Sequence, residues 1–329
     1  MKLLYAIQGT GNGHISRAIE LAPYLMKEAD IDFLISGKAN ELDFPYPVKY
    51  KFHGLYFIFG NRGGVNYWKS IRAFRPLKFI NDVYHLPVKD YDAVVNDFEP
   101  VSAWAAKIKK TKLIAVSHQA SFKSEGVPRP KHRNRPFELA MKWFAPFQNA
   151  ASTHYKKYDK SIFLPLIRKE LMLADPQQGE KVLVYLPAFA DDILINYFSS
   201  LPDVRWQIFS KKTSKAFTKS NVEVFPVDRS LYSKAIINAK AVVIGSGFQG
   251  TSEALYLGKK ILSIPMWDQY EQLCNAAALK EFGVRIVETI NDDFSEVLRN
   301  WLDNDQASEY SFEPEPENIA RQILELAKP

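Results

Sequence analysis

The strongest constraint on this chain is a set of short apolar runs that alternate with helical patterns along its length. In the first half they are KLLYAI (2–7), IDFLIS (31–36), VKYKF (48–52), DAVVN (92–96) and KLIAVS (112–117). The series restarts with KVLVYLP (181–187), RWQIFS (205–210), VEVFP (222–226), AVVIG (241–245), KILSIP (260–265) and RIV (285–287). Continuous Val/Ile/Leu runs separated by helices are strands buried on both faces, as in parallel sheets covered by helices. Two such series predict an α/β chain of two doubly wound, Rossmann-like domains. Each would carry a ligand crevice at the carboxyl ends of its strands. At 329 residues the chain is long enough for two cores.

The junction falls in FLPLIRKELMLADPQQGEK (163–181), which carries two prolines and a polar tail before the next strand. This places one domain at 1–165 and a second at 166–315. The remainder, 316–329, reads as an amphipathic helix with Ile319, Ile323, Leu324 and Ala327 on one face, free to pack back on the first domain. Segment 53–90 is rich in aromatics and reads as a loop followed by a helix.

Several function classes are excluded early. The single cysteine, Cys274, permits no internal disulfide and no cysteine zinc site, and it suits a reducing cytoplasm. No apolar run approaches the roughly 18–20 residues needed to span a bilayer, and the N-terminal apolar stretch is too short for a signal peptide. The net charge of +6 hides an asymmetry: 25 Lys+Arg against 14 Asp+Glu in 1–165, but 18 against 23 in 166–329. The first half therefore either faces something anionic or carries a solvated basic surface. No nucleic-acid motif accompanies the charge, so nucleic acid is not expected as a partner.

Between the first strand and the first helix lies GTGNGH (9–14). Its G-x-G-x-G spacing is not that of a dinucleotide fingerprint, and the second strand ends LISGK, without an acid to hold a ribose. It lacks the G-K-[ST] of a phosphate loop. What remains is a tight strand-to-helix turn whose glycines, Gly11 and Gly13, let ligand approach the backbone. His14 then projects from the lip of the crevice. The helix behind it should be kinked or interrupted at Pro23.

Residues 245–278 read GSGFQGTSEALYLGKKILSIPMWDQYEQLCNAAA. A strand feeds a glycine turn, and the turn opens a helix bearing Thr251, Ser252 and Glu253. Free N–H groups at such a helix start suit a diphosphate. Glu253, one turn in, suits the vicinal diol of a ribose. After the next strand, Asp268, Gln269, Glu271, Gln272 and Asn275 gather amides and carboxylates of the kind a hydroxyl-rich sugar needs. Asp97 ends the strand DAVVN at the crevice of His14, with Glu99 close by. His118, in IAVSHQASF (114–122), ends another strand on the rim, as an acceptor or donor contact or as a structural residue.

The block GFQGTSEALYLGKKILSIP followed by EQLCNA resembles the GT-B glycosyltransferases that include UDP-glucuronosyltransferases, plant glucosyltransferases and the enzyme forming lipid II. GTGNGHISRAIELAPYL resembles their N-terminal loop. The resemblance covers about 1–28 and 240–290. It implies a nucleotide-sugar donor, a UDP-sugar by family, held by Gly11, Gly13, Ser246, Gly247, Phe248, Gln249, Gly250, Thr251, Glu253, Glu271, Gln272 and Asn275. Where the glucuronosyltransferases carry His-Gly-Gly with a phosphate-touching histidine, this chain has Gly245-Ser246-Gly247, so Ser246 and the backbone would serve instead. Glu99, His118 and Gln269 become acceptor or rim residues.

The resemblance also pairs Asp97 with His14 as the catalytic group, a carboxylate that fixes the imidazole and stabilises its protonated form. The expectation is an inverting transfer to a hydroxyl acceptor, such as a lipid or cell-envelope intermediate, whose site the basic first domain supplies. Neither a metal nor a cofactor is expected, and the paired aspartates at 191–192 and 292–293 read as solvated turns. Basic and aromatic residues in 55–79 and 123–147 make an anionic membrane surface a candidate partner, peripheral at the cytoplasmic face. The alternatives are a nucleotide-sugar 2-epimerase and a non-catalytic nucleotide-sugar binder.

Overall fold

The computed structural model describes residues 1–37, 44–56 and 72–328. The first sheet comprises β1 (Lys2–Gln8), β2 (Asp30–Ser36), β3 (Val48–Phe52), β4 (Ala93–Asp97), β5 (Leu113–Ala115) and β6 (Asn149–Ala150). Its order is β3-β2-β1-β4-β5-β6, and every pairing is parallel. Leu3 to Ile7 of β1 are fully buried because helices cover both faces of this central strand. The helices are α1 (Asn12–Leu25), α2 (Pro76–His85), α3 (Pro100–Lys109) and α4 (Arg135–Phe144). The chain order reverses between β1 and β4, so the crevice opens where the loops after these two strands part.

A two-stranded ribbon, β7 (Ser152–Thr153) with β8 (Ile162–Phe163), and a short helix, α5 (Lys169–Met172), lead to the second sheet. That sheet contains β9 (Lys181–Tyr185), β10 (Arg205–Ser210), β11 (Phe217–Lys219), β12 (Val222–Pro226), β13 (Ala241–Gly245), β14 (Lys260–Ile264) and β15 (Arg285–Ile286). The order β11-β12-β10-β9-β13-β14-β15 repeats the first plan, with β11 added as an antiparallel edge. Its reversal lies between β9 and β13, which brings the glycine turn after β13 to the second crevice. The associated helices are α6 (Asp191–Ser199), α7 (Arg229–Ile237), α8 (Phe248–Tyr256), α9 (Tyr270–Leu279) and α10 (Phe294–Asn304). Trp206, Phe198, Phe294 and Trp301 fill one face of this sheet.

The last helix, α11 (Pro316–Ala327), returns to the first sheet. Its Ile319, Ala320, Ile323, Leu324 and Ala327 share a core with Leu3, Tyr5, Ile15 and Leu21. One local expectation is corrected. Helix α1 runs through Pro23 and ends at Leu25, so the proline sits in the last turn and forfeits a single backbone bond instead of breaking the helix. The segment read as a loop before a helix lies partly outside the described residues, 57–71 among them; the helix that follows is α2.

Candidate active site

The turn after β1 is built on close approach. Gly9 donates its N–H to the Ser36 carbonyl at 2.6 Å, and a Cβ there would lie 2.8 Å from that oxygen. Gly11, at φ 94°, caps α1 in a conformation that side-chain-bearing residues rarely adopt. Gly13 faces Gln249 of α8, where a Cβ would lie 3.5 Å from the glutamine's own. The two glycine turns therefore meet across the cleft.

His14 and Asp97, distant in sequence, are joined here. The ionised Asp97 accepts from His14 Nδ1–H at 2.7 Å, which leaves Nε2 as the nitrogen able to take a proton. Arg17, one turn further along α1, donates Nε–H to Asp97 Oδ2 at 2.8 Å and Nη2–H to Oδ1 at 2.6 Å. Its Nη2 also lies 2.9 Å from His14 Nδ1. Burial would raise the Asp97 pKa, but Arg17 and His14 hold it at about 2. Arg17 was not anticipated as a site residue. The signal was the spacing HISR, because residues i and i+3 share a helix face. Phe98 turns the chain sharply at φ 57° and stacks on His14, with ring centroids 6.3 Å apart.

Glu99 does not reach the rim. It is wholly buried and caps α3, accepting from Val101 N at 2.8 Å, Ser102 N at 2.6 Å and the Ser36 hydroxyl at 2.6 Å. Burial raises its pKa against those bonds. His118 is also enclosed, stacked on Phe248 at 3.8 Å with Nδ1 3.0 Å from Thr153 O and Nε2 2.6 Å from Asn275 Oδ1. Burial lowers its pKa, so it stands as a neutral brace between the halves rather than as a rim residue.

In the second glycine turn several polar side chains are committed to partners within the protein. Ser246 is buried and its hydroxyl bonds Ser263 at 2.7 Å. The Thr251 hydroxyl donates to Gly247 O at 2.8 Å and lies 2.7 Å from Tyr155 OH. Gly247, Gln249 and Gly250 keep partial exposure at the start of α8. Gln249 donates to Leu166 O at 3.0 Å and to Glu253 at 2.9 Å. Glu253 is buried and paired bidentately with Arg168, both contacts at 2.8 Å.

At the start of α9, Glu271 accepts from Gln119 across the cleft at 2.9 Å. Gln272 binds Met266 N and Gln269 at 3.1 and 2.6 Å, and Asn275 donates to Ser246 O at 2.9 Å. A cavity of about 230 Å³ opens between the ends of β4 and β5 and helix α4. Phe98, Gln119, Phe122, Met141 and Phe147 are among its walls, so it lies between the His14 stack and the Glu271 bridge. Among the described residues no group of three His, Cys, Asp or Glu side chains is placed to hold a metal ion.

The family model described as Glycosyl transferase family 1 matches residues 1–304. No curated protein matches the chain. Among solved structures, spinosyn forosaminyltransferase SpnP aligns with a TM-score of 0.61 at 12% identity, covering 99% of both chains. MurG of Acinetobacter baumannii aligns at 0.57 with 15% identity, covering 99% of this chain and 98% of that one. A putative UDP-N-acetylglucosamine 2-epimerase of Listeria monocytogenes aligns at 0.63 with 12% identity, covering 98% and 94%.

Proposed function

This chain belongs to glycosyl transferase family 1, and we propose that it moves a sugar, with inversion, from a nucleoside diphosphate donor to a hydroxyl acceptor. It is a glycosyltransferase with two Rossmann-like domains; the mechanism, donor and acceptor are the proposal. The observation that carries the reading is the His14–Asp97 bond of 2.7 Å at the switch point of the first sheet. Asp97 orients the imidazole, and Nε2 takes the acceptor proton as the acceptor oxygen attacks the anomeric carbon. The bond from that carbon to the diphosphate breaks, and the departing charge meets backbone N–H groups at the starts of α8 and α1. The donor of choice is a UDP-sugar.

The cavity beside Phe98, whose ring stacks on His14, suits the acceptor, with aromatic walls for an apolar body. The outer surface supports an interfacial setting. Leu77 of α2 is 84% exposed, and Leu139 and Trp143 of α4 are 56% and 57% exposed. Lys107 lies over the rings of Trp104 and Trp143 at 4.8 and 5.1 Å. Apolar side chains beside amines fit peripheral docking on anionic lipid at the cytoplasmic face. No helix among the described residues is long and apolar enough to cross a membrane.

The test is acceptor-dependent release of UDP from a panel of UDP-sugars, with His14→Ala as control. The variant should lose about 10²–10⁴ in kcat. Near-normal turnover of the variant would remove His14 from the chemistry. Epimerised donor without acceptor would support the 2-epimerase reading, which the Listeria likeness keeps in view.

A further inference from the structure

Three ionisable side chains meet at His14, and their charges do not cancel in pairs. Asp97 is 0% exposed and Arg17 3%, whereas His14 keeps 13% of its side chain exposed. A carboxylate buried this completely needs a cation beside it, or it takes up a proton. Two side chains that can be cations touch it. Arg17 donates Nε–H to Oδ2 at 2.8 Å and Nη2–H to Oδ1 at 2.6 Å, and His14 Nδ1 lies 2.7 Å from Oδ1. The guanidinium is always charged, and its fork binds both oxygens at once. Burial would raise the Asp97 carboxyl, and Arg17 leads the groups that hold it at about 2 instead.

We propose that Arg17 is a positioning residue for the transfer step: it is the standing counter-ion of Asp97, and so leaves His14 uncharged, with Nε2 bare for the acceptor proton. This rests on the transferase reading above. Without Arg17, His14 would be the one contact of Asp97 among the described residues able to carry positive charge. An imidazolium holds a proton on both nitrogens and is no base. If the carboxyl took the proton instead, its O–H would donate to Nδ1 and leave the ring's own proton on Nε2, with the same result. With Arg17 in place the Arg17–Asp97 pair is neutral, and Nη2, 2.9 Å from His14 Nδ1, opposes a resting charge on the ring. That charge arises when the acceptor hydroxyl gives its proton to Nε2 and its oxygen bonds the anomeric carbon. The bond from that carbon to the diphosphate breaks, and the leaving anion balances the imidazolium. The other titratable groups around Arg17 are Tyr5 of β1, Glu271 of α9 and His118 after β5. Burial pushes Tyr5 up, so it stays a phenol, and pushes His118 down, so it stays neutral. Glu271 is engaged by Gln119 at 2.9 Å.

Nitrogen-15 spectra of the full chain with labelled histidine, followed against pH, test the inference without donor or acceptor, and His14→Ala assigns the signal. Arg17→Gln removes the charge and keeps polar contact; Arg17→Lys keeps the charge and loses the fork. The proton affinity of His14 Nε2 should rise at least about tenfold in Arg17→Gln and less than about threefold in Arg17→Lys. An unchanged affinity in Arg17→Gln overturns the inference, as does an equal rise in both variants. Should Arg17→Gln not fold, wild type and Arg17→Lys still decide. A neutral ring with its proton on Nε2 in wild type, or a tenfold gain in Arg17→Lys, overturns the inference; a bare Nε2 in both supports it. Turnover, read as UDP release from UDP-sugars, separates this role from a merely structural one. The loss in Arg17→Gln should be about tenfold larger on the acid side of the pH profile than on the alkaline side, where the ring sheds the extra proton. A loss equal at every pH overturns the inference. If wild type releases no UDP, the transferase reading falls, and the spectra still decide the charge arrangement.

Discussion

Asp97→Asn bears on both the stability and the chemistry of the proposed site. The side chain keeps its volume but loses its charge. In the native protein Asp97 is fully buried and takes three hydrogen bonds, two from Arg17 and one from His14. Its carboxyl is held at about 2 against an ordinary 3.8, burial opposing the shift and Arg17 and His14 driving it. That displacement corresponds to about 2 kcal/mol of stability at neutral pH. The substitution should cost more, about 3–5 kcal/mol, because it strands the buried guanidinium of Arg17 permanently. In a domain of this size such a loss lowers Tm by roughly 6–20 °C.

The pH dependence has a defined sign. A carboxyl whose folded pKa lies below its unfolded one stabilises the fold above the unfolded value and loses that contribution as pH falls. For Asp97 the window runs from 3.8 down to about 2. Urea denaturation of wild type and variant at pH 6, 5, 4 and 3 should therefore show a gap that holds at the upper values and narrows at the lowest. Turnover should fall by about 10⁴ at pH 7, since an amide no longer fixes the imidazole tautomer. A gap that stays constant to pH 3, or turnover within about tenfold of wild type, would refute the reasoning.

Gly9→Ala should distort the turn after β1, because its Cβ would meet the Ser36 carbonyl oxygen at 2.8 Å; a drop in both Tm and turnover checks this. Leu139→Glu with Trp143→Glu should abolish sedimentation with anionic vesicles at low salt, leaving the circular dichroism spectrum unchanged. Lys259 donates to the carbonyls of Gln177, Ile237 and Ala239 at 2.6, 2.7 and 3.0 Å. Lys259→Met should lower stability by about 1–3 kcal/mol by leaving those oxygens unpaired, measurable by urea denaturation.

The long central strands were legible in the sequence because a strand buried on both faces has almost no freedom of composition, whereas the two- and three-residue strands β6, β7, β8 and β11 are too short to leave a pattern. The Gly11 cap was legible for a related reason, since its φ of 94° admits little else. The direction of individual side chains was not. Ser246, Thr251 and Glu253 sit in a turn whose pattern suggests a ligand, yet their polar atoms serve Ser263, Tyr155 and Arg168. Those partners lie in other elements, and helical spacing says nothing about them. Glu99 illustrates the same limit: a carboxylate two residues beyond Asp97 turns inward to cap a helix. Arg17 was missed for the opposite reason. A basic residue on an amphipathic helix reads as solvated until the fold places a buried carboxylate opposite it.

The return of α11 to the first sheet has a consequence for biosynthesis. Leu3, in β1, and Ile323, in α11, belong to one core. On the ribosome, everything needed for the second sheet, through β15 at Ile286, emerges before that core can be completed. The half of the chain made first is thus the half that finishes last. Until α11 emerges, the apolar groove along α1 stands open, and a nascent chain stalled near residue 315 presents it to chaperones and proteases.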